Sequence, residues 1–270
     1  MNKPAHLFYM PLFPLGLFFL LLASPARAEA PADNSILQTA AAQQQPGSKE
    51  PEGLEPEPSS SFSIGWDVTF ASKYLFQGRD YSDGKAVVQP EVTLTFKEFS
   101  AILWSNYDLD TKKADEFDLY LQYSWEMEAV ALTAGYAHFN YPHRGGWDPS
   151  QEVSFDLSYN ALLNPSLSIH YDFDAGEGYY ATLGLSHMME TPLGDLSPGI
   201  NLFYQDNYYE LTGFPSTEFN ATLEYPIGPF TLSPAISYFL TWDNGDFTAD
   251  GPEGAVPDTW LFSINVAQSF

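Results

Sequence analysis

Residues 259–270 read TWLFSINVAQSF. Trp260, Phe262, Ile264, Val266 and Phe270 share one parity, and Ser263, Asn265, Ala267 and Ser269 share the other. Only Gln268 interrupts the apolar row. A period of two marks a strand with two unlike faces. In water such a strand would be an adhesive edge. The row is explained if it faces hydrocarbon instead.

The same texture runs back through the chain. In SFSIGWDVTF, residues 61–70, Phe62, Ile64, Trp66, Val68 and Phe70 oppose Ser63, Gly65, Asp67 and Thr69. EFDLYLQYSW (116–125), EVSFDLSY (152–159) and LSIHYDFD (167–174) repeat the form, as do EFNATLEY (218–225) and TLSPAISYFLTW (231–242). Weaker copies lie near 86–97, 98–107, 128–141, 178–189 and 197–206. Segments of roughly ten residues with this alternation are the signal of membrane strands. Short turns are expected near Lys97-Glu98, Glu126-Met127, Leu162–Pro165, Pro192-Leu193 and Pro226–Pro229. Longer, mostly acidic connections are expected at 77–85, 108–116, 141–151, 174–178, 207–217 and 243–258. The expected fold is all-β: a transmembrane antiparallel up-and-down β-barrel of about twelve strands over residues 62–270, with short periplasmic turns and longer acidic external loops. A soluble sandwich also alternates, but it would not gather Trp125, Trp242 and Trp260 at strand ends, where interfacial girdles lie.

Residues 1–28 have a basic start, an apolar run and Ala26-Arg27-Ala28, the order of a cleaved signal peptide; with the barrel pattern, the expected location is the bacterial outer membrane. Residues 29–61 are rich in Pro, Glu, Gln, Ala and Ser, with no aromatic residue, and are expected to form a disordered periplasmic tail. The chain has no cysteine, which excludes a disulfide framework, a lipid-bearing cysteine and a thiol nucleophile. Its formal charge is −25, which speaks against nucleic acid as a partner. The expected surroundings are outer-membrane lipid and lipopolysaccharide, with the barrel-assembly machinery and small solutes as partners.

The stretch SKYLFQGRDYSDGKAVVQPEVTL, Ser72–Leu94, holds Lys73, Arg79 and Lys85. It resembles the first hairpin of the Gcw_chp or TorF-type family of porin-like exported bacterial proteins. Ser72, Tyr74, Phe76, Gly78, Ser82, Asp83, Gly84 and Gln89 carry the resemblance, while Gln77 stands where an arginine is usual. The resemblance implies an outer-membrane barrel and suggests a pore, without naming a substrate. The final strand similarly resembles the C-terminal assembly signal of such barrels, through Phe262, Ile264, Val266 and Phe270.

By parity, the candidates for the lumen are Lys73, Glu91, Asp118, Gln122, Asp156, His170, Asp172 and Glu224. Tyr120, Phe139, Phe203 and Phe239 share the inner parity and would fill the lumen rather than wet it. The external-loop charges are Arg79, Asp108, Asp110, Asp115, Asp243, Asp246 and Asp250. Asp243, Asp246 and Asp250 offer oxygen ligands for Ca²⁺ but lack the order of an EF-hand loop, so at most loosely held divalent cations are expected, with no cofactor. His170, Asp172 and Ser168 share one strand face, yet residues two apart on a strand stand about 7 Å apart, too far for a nucleophile–base bond. The expected function is passive passage of small solutes with cation preference. The alternatives are a closed structural or surface-interaction barrel and a small barrel hydrolase.

Overall fold

The computed structural model describes residues 62–242, 244–247 and 258–270. The expected leader (1–28) and tail (29–61), together with Asp243 and Asp250, lie outside the described residues. Twelve strands form the wall: β1 (Phe62–Ala71), β2 (Val87–Phe96), β3 (Phe99–Asp108), β4 (Lys113–Met127), β5 (Val130–Asn140), β6 (Ser150–Tyr159), β7 (Ser166–Asp172), β8 (Gly178–Ser186), β9 (Gly194–Tyr208), β10 (Ser216–Ile227), β11 (Phe230–Thr241) and β12 (Thr259–Ser269). Each pairs antiparallel with its neighbour in the chain, and β12 closes on β1, with Gly65 opposite Ser269 and Ala71 opposite Ser263. Two short pieces extend the wall along β9, Met189–Thr191 and Leu211–Gly213. No helix of the described residues is long and apolar enough to cross a membrane.

The alternation decides which face each side chain takes. The outward row is apolar and exposed, with Phe99, Leu103 and Phe262 each more than half accessible. In lipid every backbone polar group must be paired within the protein, and a closed barrel meets that demand. Phe270 extends the seam: its N–H donates to Ile64 O at 2.9 Å, and Ile64 N–H donates to Phe270 O at 3.2 Å.

Two-residue turns join β2 to β3 at 97–98, β4 to β5 at 128–129 and β10 to β11 at 228–229. Their first residues take positive φ, 54° at Lys97, 50° at Glu128 and 62° at Gly228, as tight hairpins require. The second turn thus falls two residues beyond the expected Glu126-Met127, because β4 runs on to Met127. The second loop is shorter than expected, only 109–112, because polar residues at the top of β4 continue the ladder. A bulge between Asn106 and Tyr107 pairs Asn106 with Glu116 and Tyr107 with Ala114, skipping Asp115. That extra residue lets consecutive Asp115 and Glu116 both be buried.

Candidate functional site

The inward rows change character along the barrel. Toward the turn end they are small and polar: Ser63, Gly65, Thr93, Thr95 and Ser100 are half-buried and face a common interior. From mid-barrel to the loop end they become bulky and closed. Ile102, Trp104, Tyr120, Phe139, Phe203 and Phe239 are all buried. Tyr120 and Phe139 meet edge to face, with ring centroids 5.9 Å apart.

The first loop, residues 72–86, fills what remains. It is rooted at the seam, where Ser72 N–H donates to Phe262 O and Phe262 N–H donates to Ser72 Oγ. A small hairpin, Leu75–Phe76 against Arg79–Asp80, then turns into the lumen. Tyr74, Leu75 and Gln77 are buried there. Tyr74 packs with Val87, Ile102 and Trp104, and Leu75 with Phe203, Phe239 and Leu261. On the far wall Gln205 Nε2 donates to Gln77 O at 3.4 Å. Gly78, at φ 73°, passes so close to β10 that a Cβ there would lie 2.5 Å from Ser216 Oγ. Only glycine combines that φ with that approach.

The residues of the resemblance hold this inward fold. Asp80 accepts from Ser82 N–H, Ser82 Oγ and Gly84 N–H. Ser82 Oγ in turn accepts from Tyr74 N–H at 2.8 Å. Asp83 and Gly84 turn the chain with φ of 51° and 70°. Gln89 donates to Asn106, and Asn106 donates to Asp115.

Asp115 leads to Arg144, from the third external loop (141–149). Arg144 Nε lies 3.1 Å from Asp115 Oδ2, and Nη2 lies 3.3 Å from Glu116 Oε2. Four rings surround the guanidinium: Tyr74, Tyr81, Tyr141 and Trp147. Burial works against its charge, yet Glu116, Tyr74 and Asp115 leave its pKa above the ordinary value.

Of the residues singled out in the sequence, Glu91, Asp118, Asp156, His170, Asp172 and Glu224 are buried on the inward row, and Gln122 is half-buried there. Glu91 stands opposite Asp67 in the β1–β2 register, and Glu224 opposite Asp195 in β9–β10. Lys73 lies beyond the end of β1, where its Nζ donates to Thr259 Oγ1 at 2.7 Å rather than facing a lumenal carboxylate across the barrel. Arg79 sits in the inward hairpin, 5.6 Å over the Tyr81 ring. Asp108 ends β3 and accepts from Asp110 N–H and Thr111 N–H, so it shapes the second loop. Asp110 is exposed. Asp246 accepts from Thr212 N–H and ties the described part of the sixth loop to the fifth. Among the described residues no group of acids and histidines could hold a metal ion. Phe262, Ile264, Val266 and Phe270 lie on the outward row of the closing strand, as their parity requires.

His170 and Asp172 part company. Asp172, fully buried, takes both contacts of Ser150 Oγ at 2.7 and 2.6 Å. His170 Nδ1 faces Glu152 at 3.4 Å and Nε2 faces Asp156 at 3.8 Å. Its ring stacks on Tyr180, with centroids 4.2 Å apart. Glu152 also accepts from Tyr208 at 2.7 Å, three strands away. The histidine is thus flanked by two carboxylates and a phenol ring, and the serine on Asp172 is Ser150 of β6, not Ser168 of its own strand.

Arg144, Gln205 and Tyr208 were not singled out in the sequence. Arg144 had a signal: it is the last lysine or arginine of the chain, and every strand from β6 onward is built without one. Gln205 and Tyr208 had none, since their partners lie on remote elements.

The profile of a family described as bacterial protein of unknown function (Gcw_chp) matches residues 55–238. No curated protein matches the chain. Among solved structures, the NanC porin in a rhombohedral crystal form is similar, with 12% identity and a TM-score of 0.52 over 76% of this chain and 98% of that one. An outer membrane channel from Pseudomonas putida F1 aligns at 12% identity and a TM-score of 0.44, over 83% of this chain and 100% of that one. At such identities the likeness concerns the barrel fold alone.

Proposed function

Because this chain belongs to the Gcw_chp family, bacterial proteins of unknown function, we propose its role from the lumen itself: an outer-membrane channel for small solutes that prefers cations and is narrowed by its own first loop. The observation that carries this reading is the asymmetry of lumenal charge. Asp67, Glu91, Asp156, Glu218 and Glu224 line the interior, while no lysine or arginine follows Arg144 in the chain. A low-dielectric tube with carboxylates on its wall concentrates cations and repels anions. The small, half-buried residues of the turn end form a wet vestibule, and the first-loop hairpin is the constriction above it.

Conductance of the refolded barrel in a planar bilayer under a KCl gradient tests this. Small steps with a reversal potential favouring K⁺, enlarged when residues 75–80 are replaced by a short Gly-Ser link, are expected. Anion preference would overturn the reading. A second reading, a closed surface-interaction barrel, is favoured by the aromatic filling of the loop half. Silence of both the native and the shortened barrel would support it.

A further inference from the structure

The box around Arg144 is built largely without Arg144. Tyr74 and Tyr81 pack at 5.3 Å, Tyr81 and Trp147 at 5.5 Å, and Tyr141 and Trp147 at 5.2 Å between ring centroids. Tyr74 leans on Trp104 at 5.6 Å. The carboxylate floor is also held from elsewhere. Asn106 Nδ2 donates to Asp115 Oδ1 at 2.8 Å, and Tyr74 lies 3.4 Å from Glu116 Oε1 through its hydroxyl. Four rings and two carboxylates, drawn from the first loop, the third loop and β4, converge on one planar cation. The guanidinium carbon is 5.2 Å from the Trp147 centroid and 5.5 Å from those of Tyr74 and Tyr81.

This is what recognition of a guanidinium needs: flat rings for its faces and two carboxylates for its fork. A compact ammonium presents no fork, and a quaternary ammonium has no donor for Asp115 or Glu116. The side chain that fills the box hangs from an external loop. Gly145 and Gly146 follow it, with nothing within 4 Å of where a Cβ would stand. Its backbone is bonded to two of the rings' residues, Arg144 N–H to Tyr141 O at 3.3 Å and Trp147 N–H to Arg144 O at 3.2 Å, so rotation of the side chain alone would leave rings and floor in place.

We propose that this box is a binding site for soluble cations bearing a guanidinium group, and that Arg144 is its resident occupant, exchanged when such a solute arrives. Two of the rings, Tyr74 and Tyr81, belong to the first loop, so the site sits on the outer side of the constriction. A tethered side chain competes at an effective concentration of roughly millimolar or more. The native chain therefore binds such solutes weakly, and a chain lacking the Arg144 side chain binds them more tightly.

The test is isothermal titration calorimetry on the full refolded chain in detergent, with methylguanidinium and agmatine as probes and tetramethylammonium and sodium as controls. R144A is expected to bind both probes saturably at about millimolar concentration, with the native chain about twofold weaker or more, and neither chain binding the controls. Adding E116Q to R144A should abolish the binding. R144K, judged folded by heat-modifiable mobility, stands in where R144A fails to fold, and is expected to lie between the two. No saturable heat in either variant, or equal heats with tetramethylammonium, would overturn the proposal. The measurement reads binding alone and so stands whether or not the barrel conducts.

Discussion

Phe76, at the tip of the first-loop hairpin, meets Tyr180 of β8 edge to face, with ring centroids 5.9 Å apart. A loop that leaves the wall at the β1–β12 seam thus reaches a strand on the far side of the lumen. The obstruction is not a crowd of wall residues alone but a hairpin that spans the tube.

Replacing Leu75 and Phe76 together by alanine should loosen that span. Single-channel conductance is expected to rise several-fold while the wall stays closed, because the ladder between wall strands does not involve the hairpin. Unaltered conductance would move the constriction to Trp104, Tyr120 and Phe139.

Gly78→Val should unseat the hairpin from the other side. Its positive φ costs a β-branched residue at least about 1–2 kcal/mol, and the added Cβ meets Ser216 Oγ and Pro215. Trypsin cleavage after Arg79 is expected to quicken by about tenfold, the equivalent of roughly 1.4 kcal/mol of easier opening. Equal cleavage rates in the two chains would contradict the seating contact.

The facing pair Asp67 and Glu91 should govern charge preference. In the double variant Asp67→Asn, Glu91→Gln, the reversal potential under a KCl gradient is expected to move toward zero without loss of the steps. Asp67 accepts from Asn265 Nδ2 at 2.6 Å, so the asparagine must flip its amide to present an oxygen there. An unshifted potential would place selectivity at the mouth.

Ser150→Ala takes the side-chain donor from a carboxylate that has no exposure and leaves it the Asp174 N–H at 2.9 Å. A loss of about 1–3 kcal/mol in unfolding free energy is expected. The Ala175 amide, which donates to Ser150 Oγ at 3.0 Å, should exchange its proton faster. Unchanged protection at Ala175 would mean the fourth loop is held by other contacts.

Alkaline pH should open the loop end before it opens the wall. Burial raises the phenol pKa of Tyr81 and of Tyr141, both in external loops. Their contribution is complete below the ordinary tyrosine value near 10 and is lost as pH rises through the higher folded values. Phenolate absorbance and trypsin cleavage at Arg79 are expected to rise together, above the pH at which a free tyrosine titrates. Ordinary titration with Arg79 still protected would show that these rings are open to solvent.

Alternation announced the wall and its parity, because a strand's period of two depends only on which solvent each face meets. It could not announce the inward hairpin. Leu75 and Phe76 sit in a loop with no period, and their burial comes from Phe203 and Tyr180, more than a hundred residues away. The adjacency of Asp115 and Glu116 read as a solvated loop because a bulge leaves no mark in a pattern of alternating residues. His170 and Asp172 were legible as neighbours on one face, but their partners, Glu152 and Ser150, are set by the register with β6. The eight residues of the family resemblance were legible as a string. Their common task, folding the first loop inward, depends on contacts that no string displays.

The root of the hairpin has a consequence for the order of assembly. Ser72 is bonded to Phe262 of the last strand, and Gln77 to Gln205 of the ninth. Neither partner has emerged into place until the chain is nearly complete and the seam is shut. Closing loops that long is slow compared with zipping adjacent strands. The wall is therefore expected to close first around an open lumen, with the hairpin seating in it afterwards.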